Sequence, residues 1–195
     1  MIHSVKSFAF AAGILALAAP LAMAQTSTWA IDPNHSEVDF TVRHMSVSNI
    51  HGRIGGVQGN ILFNDVDATK STVSVTIDVN TLDTGVTARD TDLKSSNFFD
   101  VAKFPTATFT STSVNKSGTH LKIDGNLTLH GVTRPVELDV DGPSAPMPGM
   151  DKKPHSGYTA TATINRKDFG VGPNYPAAVV SDEIKLTIEL EVAKQ

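Results

Sequence analysis

The chain has 195 residues, enough for one domain, and carries 20 acidic against 16 basic residues, a net charge of −4. With no basic cluster to neutralise phosphates, this balance argues against nucleic-acid binding and against firm docking on anionic membranes. There is no cysteine, which rules out disulfides, thiol chemistry and thiolate metal sites; a chain of this size buries enough core without such staples.

The N-terminus reads as an export signal. Lys6 is the only lysine among the first seven residues, which hold no acid, and an apolar run follows from Phe8 to Leu21, broken only by Gly13 and Pro20. Ala22-Met23-Ala24 then supplies a small-x-small cleavage pattern. The run is shorter than the ~20 residues a spanning helix needs. Residues 1–24 are expected to be removed on export, leaving a single domain of residues 25–195.

Period-2 alternation dominates the rest. Val38, Phe40 and Val42 alternate with Glu37, Asp39, Thr41 and Arg43. A less regular strand lies near Gly56 to Phe63, where Gly52, Gly55, Gly56 and Gly59 read as relief in a bent strand, because no βαβ unit surrounds them. Val73, Val75, Ile77 and Val79 alternate with Ser74, Thr76 and Asp78. Thr84 to Ser96 lacks alternation and is polar, with Val86 and Leu93 seven apart as a narrow stripe; it is expected to be a helix. Phe98-Phe99 at its end suit a lid over a barrel mouth. A second irregular strand runs near Thr106 to Val114.

Leu121, Ile123, Leu127 and Leu129 form the next apolar face, with Gly125 in it marking a bend or bulge. Val136, Leu138 and Val140 follow. Asp141 to Gly157 holds four prolines and reads as a mobile surface loop. Ala160, Ala162 and Ile164, then Ile184, Leu186, Ile188, Leu190 and Val192, complete the series. The fold class is therefore all-β, with about eight strands. One wet and one dry face per strand implies antiparallel pairing, in a closed barrel or a two-layer sandwich.

Motifs for chemistry are sparse. His35, His44, His51, His120, His130 and His155 form no close pair and no H-E-x-x-H. Met147, Met150 and His155 share the proline-rich loop at irregular spacing, so no metal site is expected. There is no G-x-S-x-G elbow and no carboxylate couple, and the chain reads as a non-enzyme. His44 extends the apolar face of the first strand and points inward, as a core-edge or head-group histidine. Arg89 and Asp90 are adjacent, so they do not face each other on a helix. Each is expected to reach a different partner, in ion pairs tying the helix to the barrel.

An ordered set of short motifs spans this domain. Trp29-Ala30-Ile31-Asp32 precedes His35-Ser36, and Phe40-x-Val42-x-His44-Met45 follows. Thr84, Arg89-Asp90, Leu93-Lys94-Ser95 and Phe98-Phe99-Asp100 come next, then Phe104-Pro105 and the stretch from Gly125 to Thr133. Asn165-Arg166-x-Asp168-Phe169-Gly170 ends the set. In order and spacing this resembles the YceI-like family.

The resemblance implies a lipocalin-like antiparallel barrel, periplasmic and without catalytic activity or cofactor. Its interior would hold a long isoprenoid chain of the polyprenyl or prenyl-quinone type. Alternation alone leaves open a solidly packed structural or interaction barrel, and a lipid-modifying enzyme is a further alternative. Within the resemblance, Val38, Phe40, Val42, Val75, Ile77, Phe109, Leu127, Ile164 and Ile188 form the apolar wall. His44, Arg89, Asp90, Asp92, Phe98, Phe99, Arg166 and Phe169 stand at the mouth as head-group or lid contacts. Members often carry His where this chain has Asp92, which points to a different head-group preference. The expected partner is the lipid, with at most transient membrane contact; homodimer formation is left open.

Overall fold

The computed structural model describes residues 26–195; the expected signal peptide lies outside them. Eleven strands form one sheet: β1 (Thr26–Ile31), β2 (Glu37–His44), β3 (Ser48–Ile54), β4 (Gln58–Asn64), β5 (Thr72–Asp78), β6 (Thr106–Ser117), β7 (His120–Leu129), β8 (Val132–Asp141), β9 (Met147–Pro148), β10 (Pro154–Asn165) and β11 (Val180–Lys194). Among the described residues, one α-helix, α1 (Thr87–Lys94), lies between β5 and β6.

The long strand β11 organises the wall. One edge pairs with β10 from His155↔Ala193 to Asn165↔Glu183. The other edge is shared: Val180 to Glu189 face β2, and Val192 to Lys194 face β1. β1 and β2 are thus two halves of one wall strand, bent at Asp32–Ser36. β3 and β4 pair with β2 and β1 in the same way. Their bend is Gly55-Gly56-Val57, where Gly56 takes φ +63°, a left-handed conformation open to glycine at little cost. Counting each bent pair once, the antiparallel ring has eight positions and closes through β10 and β11.

Three strands carry no readable alternation: β1, β3 and β9. In β3 the inward series is Ile50, Gly52 and Ile54, and the missing side chain is supplied from the next strand. A Cβ on Gly52 would lie 2.3 Å from Phe40 Cζ, so the Phe40 ring already fills that place. The proline-rich loop is more ordered in pairing than expected. Its β9 pairs with the start of β10 through Pro148↔Pro154 and Met147↔His155, and Ser144 is bonded to Ser156 and Gly157.

Gly125 has two consequences for the wall. Ser111 pairs with Gly125 and Ser113 with Asp124, so the bulge lies in β6, opposite the glycine. A Cβ on Gly125 would stand 2.2 Å from Phe109 Cζ and 2.7 Å from Thr110 O. Gly125→Val is expected to destabilise the barrel by about 1–3 kcal/mol in denaturant unfolding. Combined with Phe109→Leu, the loss should be smaller than the two single losses added.

The interior is packed unevenly. Where β11 finishes, Trp29, Ile31 and Val192 are buried, Val192 fully. Toward the start of β11, Phe40, Val42, Ile184 and Leu186 lie on inward faces, yet each is only partly buried. Inward apolar side chains that remain accessible line a hollow, not a filled core.

Candidate functional site: the lumen and its mouth

The hollow has two chambers. The outer, of about 300 Å³, is lined among others by Phe40, Val42, Ile50, Ile54, Leu129 and Ile184. The inner, of about 110 Å³, is lined among others by Val73, Val75, Phe109, Val114, Ile123 and Ile188. Val38, Ile77, Leu127 and Leu186 line both, so the chambers meet at a waist made by these four side chains. The inner wall is apolar except for Ser71 and Tyr158. Burial pushes the Tyr158 phenol up to about 12, which keeps it neutral.

The mouth is built from α1, the end of β2 and the segment before β11. His44 and Val179 line the outer chamber and are themselves exposed, marking the opening. Phe98 stacks on Tyr175 with ring centroids 4.6 Å apart and planes at 28°, a contact worth about 0.5–1.5 kcal/mol beyond its buried area. Asp92 accepts from Asn97 Nδ2 at 2.7 Å and from the Tyr175 hydroxyl at 3.4 Å. The carboxylate thus holds the end of the helix and faces the opposite lip.

Arg89 and Asp90 do not make the expected ion pairs; both converge on Thr84. Asp90 Oδ1 accepts from the Thr84 amide at 2.9 Å and from its hydroxyl at 2.5 Å. Arg89 donates through Nε to the same hydroxyl at 2.7 Å and through Nη2 to the Thr84 carbonyl at 2.9 Å. The reason is the helix boundary. α1 begins at Thr87, later than the sequence suggests, and its N-cap Val86 has no side chain to offer. Thr84 folds back under the first turn and is reached from two adjacent positions. Its neighbour Asp83 exchanges two backbone hydrogen bonds with Arg53 of β3, at 2.9 and 3.0 Å, which anchors the lid to the wall. Val86 is exposed, so the expected Val86–Leu93 stripe reduces to Leu93, which lines the outer chamber.

All nine predicted wall residues border a chamber: Val38, Phe40, Val42, Ile77, Leu127 and Ile164 the outer, and Val75, Phe109 and Ile188 the inner. His44, Arg89, Asp92, Phe98 and Phe99 line the outer chamber; Asp90 does not. Phe169 is 2% exposed and sits in the packed core, away from any entrance, where its carbonyl accepts from His130 Nδ1 at 3.1 Å.

Arg166 borders the outer chamber, but its donors are taken. They reach the carbonyls of Val171, Gly172, Tyr175, Val180 and Ser181, and the carboxylate of Asp182. Its guanidinium is a staple for the segment forming the lip, with nothing left for a head group. The sequence reading did not select Ile184 and Leu186, although they lie in its clearest alternating run. Tyr175, Val179 and Val180 fall in a segment without periodicity and carried no signal.

A closed antiparallel barrel with an apolar hollow, a packed floor and a helix over the opening defines a class: barrels built around an internal ligand space. The YceI-like domain matches residues 29–192. Protein YceI of Salmonella newport (strain SL254) is 39% identical over 165 residues, covering 83% of each chain. The chain belongs to the YceI-like family. BcnA of Burkholderia cenocepacia superposes with a TM-score of 0.74 at 21% identity, over 83% of this chain and 98% of its own. A polyisoprenoid binding domain from Saccharophagus degradans superposes with a TM-score of 0.64 at 17% identity, over 88% and 100%. These two structures share the fold.

Proposed function

We propose that this protein is an exported, periplasmic carrier that holds a long isoprenoid chain in its lumen, as a binding protein and not an enzyme. The observation that carries the reading is the waist: two apolar chambers joined end to end suit a chain, whereas a compact ligand needs only one. The polyisoprenoid-binding description of the Saccharophagus degradans domain supports the same ligand class. Arg89, His44, Asp92 and Tyr175 are the polar groups that meet the head.

The tail gains ~0.8 kcal/mol per methylene on leaving water. A bilayer offers the same gain, so this term nearly cancels between membrane and lumen. Discrimination then rests on chamber length and on the polar groups at the mouth. A delipidated sample should take up one equivalent of a labelled prenyl quinone, with the tail protected from aqueous quenchers. A folded, delipidated barrel that takes up none would overturn the reading.

Loading from a membrane needs the mouth to approach lipid. Beside it, Met45 and Val47 are 58% and 77% exposed in the turn after β2, and the Met45 amide donates to the Val179 carbonyl at 2.8 Å. This apolar lip would enter the headgroup layer briefly, consistent with transient contact. Met45→Asp combined with Val47→Asp is expected to slow uptake from vesicles about tenfold. Affinity for the same ligand presented in detergent should stay unchanged. Equal slowing in both media would place the effect inside the lumen instead.

A further inference from the structure

At the far end of the barrel, roughly 35 Å along β11 from the mouth, three elements bring two histidines and several carboxylates together. In the turn after β1, His35 Nδ1 lies 2.9 Å from Asp32 Oδ2. At the start of β10, His155 Nδ1 lies 2.6 Å from Glu191 Oε1 of β11. Donor atoms of Asp32, His35 and Glu191 all fall within 4.8 Å of one another. The surrounding surface hollow adds Asp141, Asp151 and Glu189 to its lining, with no lysine or arginine. Lys153 is turned to Gln195 Oε1, at 3.3 Å.

Two features exceed what ordinary surface ion pairs require. His155 uses both ring nitrogens: Nδ1 faces Glu191, while Nε2 faces Asp151 Oδ1 at 3.1 Å. A carboxylate behind an imidazole fixes its tautomer and orientation, as behind histidines that bind metals. The backbone is also locked. The Glu191 amide donates to Ser36 Oγ at 3.0 Å, and its carbonyl accepts from the Asp32 amide at 2.9 Å. The turn bearing Asp32 and His35 is therefore held in register with Glu191.

We propose that Asp32, His35, His155 and Glu191 form a four-coordinate site for a divalent ion of the zinc class, with Asp151 orienting His155. Zinc takes nitrogen and carboxylate oxygen at about 2.0–2.2 Å, which puts neighbouring ligand atoms roughly 3.4 Å apart. Small rotations of partly exposed side chains bring Asp32, His35 and Glu191 to that spacing, and His155, outside that trio, joins through its 2.6 Å contact with Glu191. Two imidazoles select against magnesium and calcium, which prefer oxygen ligands alone. Each imidazole is held above its ordinary pKa chiefly by the hydrogen bond it donates to its carboxylate partner, so the ion displaces a proton at each. The bound ion would clamp the turn, β10 and β11 together at the floor of the barrel.

The test is calorimetric titration of zinc chloride into the purified chain, prepared without a histidine tag and treated with chelator. One equivalent should bind with a Kd of about a micromolar or tighter. His35→Ala and His155→Ala should each weaken binding at least about tenfold, and Asp151→Asn by a similar factor. Glu189→Gln, in the same hollow, should change nothing. Zinc should also raise the melting temperature of the unsubstituted chain and not of His155→Ala. His35 is exposed in its turn, so His35→Ala reports on the site even where His155→Ala disturbs the fold. Absence of saturable binding, equal binding of magnesium or calcium, or binding that survives both histidine substitutions overturns the proposal.

Discussion

A Leu186→Trp variant should lose about 100-fold in affinity for a long prenyl chain and keep its affinity for a short one that fills only the outer chamber. Leu186 is one of the four waist residues, set between Phe40 of β2 and Ala162 of β10. An indole there closes the passage to the inner chamber. A head held at the mouth then leaves the distal part of the chain in water, where about four unburied methylenes cost ~3 kcal/mol. The bilayer cancellation does not rescue this segment, since it belongs to a molecule already in the barrel. Leu186 is only partly buried and faces empty space, so the larger ring should not overpack the core. The measurement is a titration with prenyl ligands of increasing length. An equal loss for short and long chains, or no loss for either, would mean that the tail does not thread the waist.

The wall was legible in the sequence because an antiparallel barrel repeats one rule. Every wall residue faces either lumen or solvent, so Val38 to Val42, Leu121 to Leu129 and Ile184 to Val192 announce themselves by alternation. β1 and β3 stayed hidden for a packing reason. They are short halves of bent strands, and the inward place at Gly52 is filled by Phe40 from across the sheet. Hollow against packed was not legible at all, because it depends on the summed volume of inward side chains over eight wall positions. The mouth was half legible. His44, Asp92 and Phe98 could be placed near it, while the turn of Arg89 and Asp90 toward one threonine follows from where the helix starts. Of the four residues of the floor cluster only Asp32 and His35 are close in sequence; no local spacing joins that pair to His155 or to Glu191.

Arg166→Met should cost about 3–5 kcal/mol of stability, the largest loss expected of a substitution near the lumen. Arg166 is 3% exposed, and removing its guanidinium takes that donor from five backbone carbonyls and leaves Asp182 with Lys167 Nζ alone, at 3.2 Å. Unpaired buried acceptors keep the desolvation penalty and lose its compensation. Arg166→Lys should cost nearly as much, since three ammonium donors on a flexible stem cannot serve a fork of five N–H groups. Asp182→Asn should cost far less, because the guanidinium keeps its carbonyls. Denaturant unfolding of the three variants gives the ranking, and a small loss in Arg166→Lys would show that charge, not the fork, holds the segment. The consequence reaches the ligand as well. The Tyr175 carbonyl accepts from Arg166 at 2.7 Å, while its ring stacks on Phe98 and its hydroxyl reaches Asp92. Freed from the arginine, Tyr175 carries the lip away from the lid, so ligand release should quicken even in variants that remain folded. The cation that the sequence suggested for the head group thus acts one step behind it, by fixing the residue that closes the mouth.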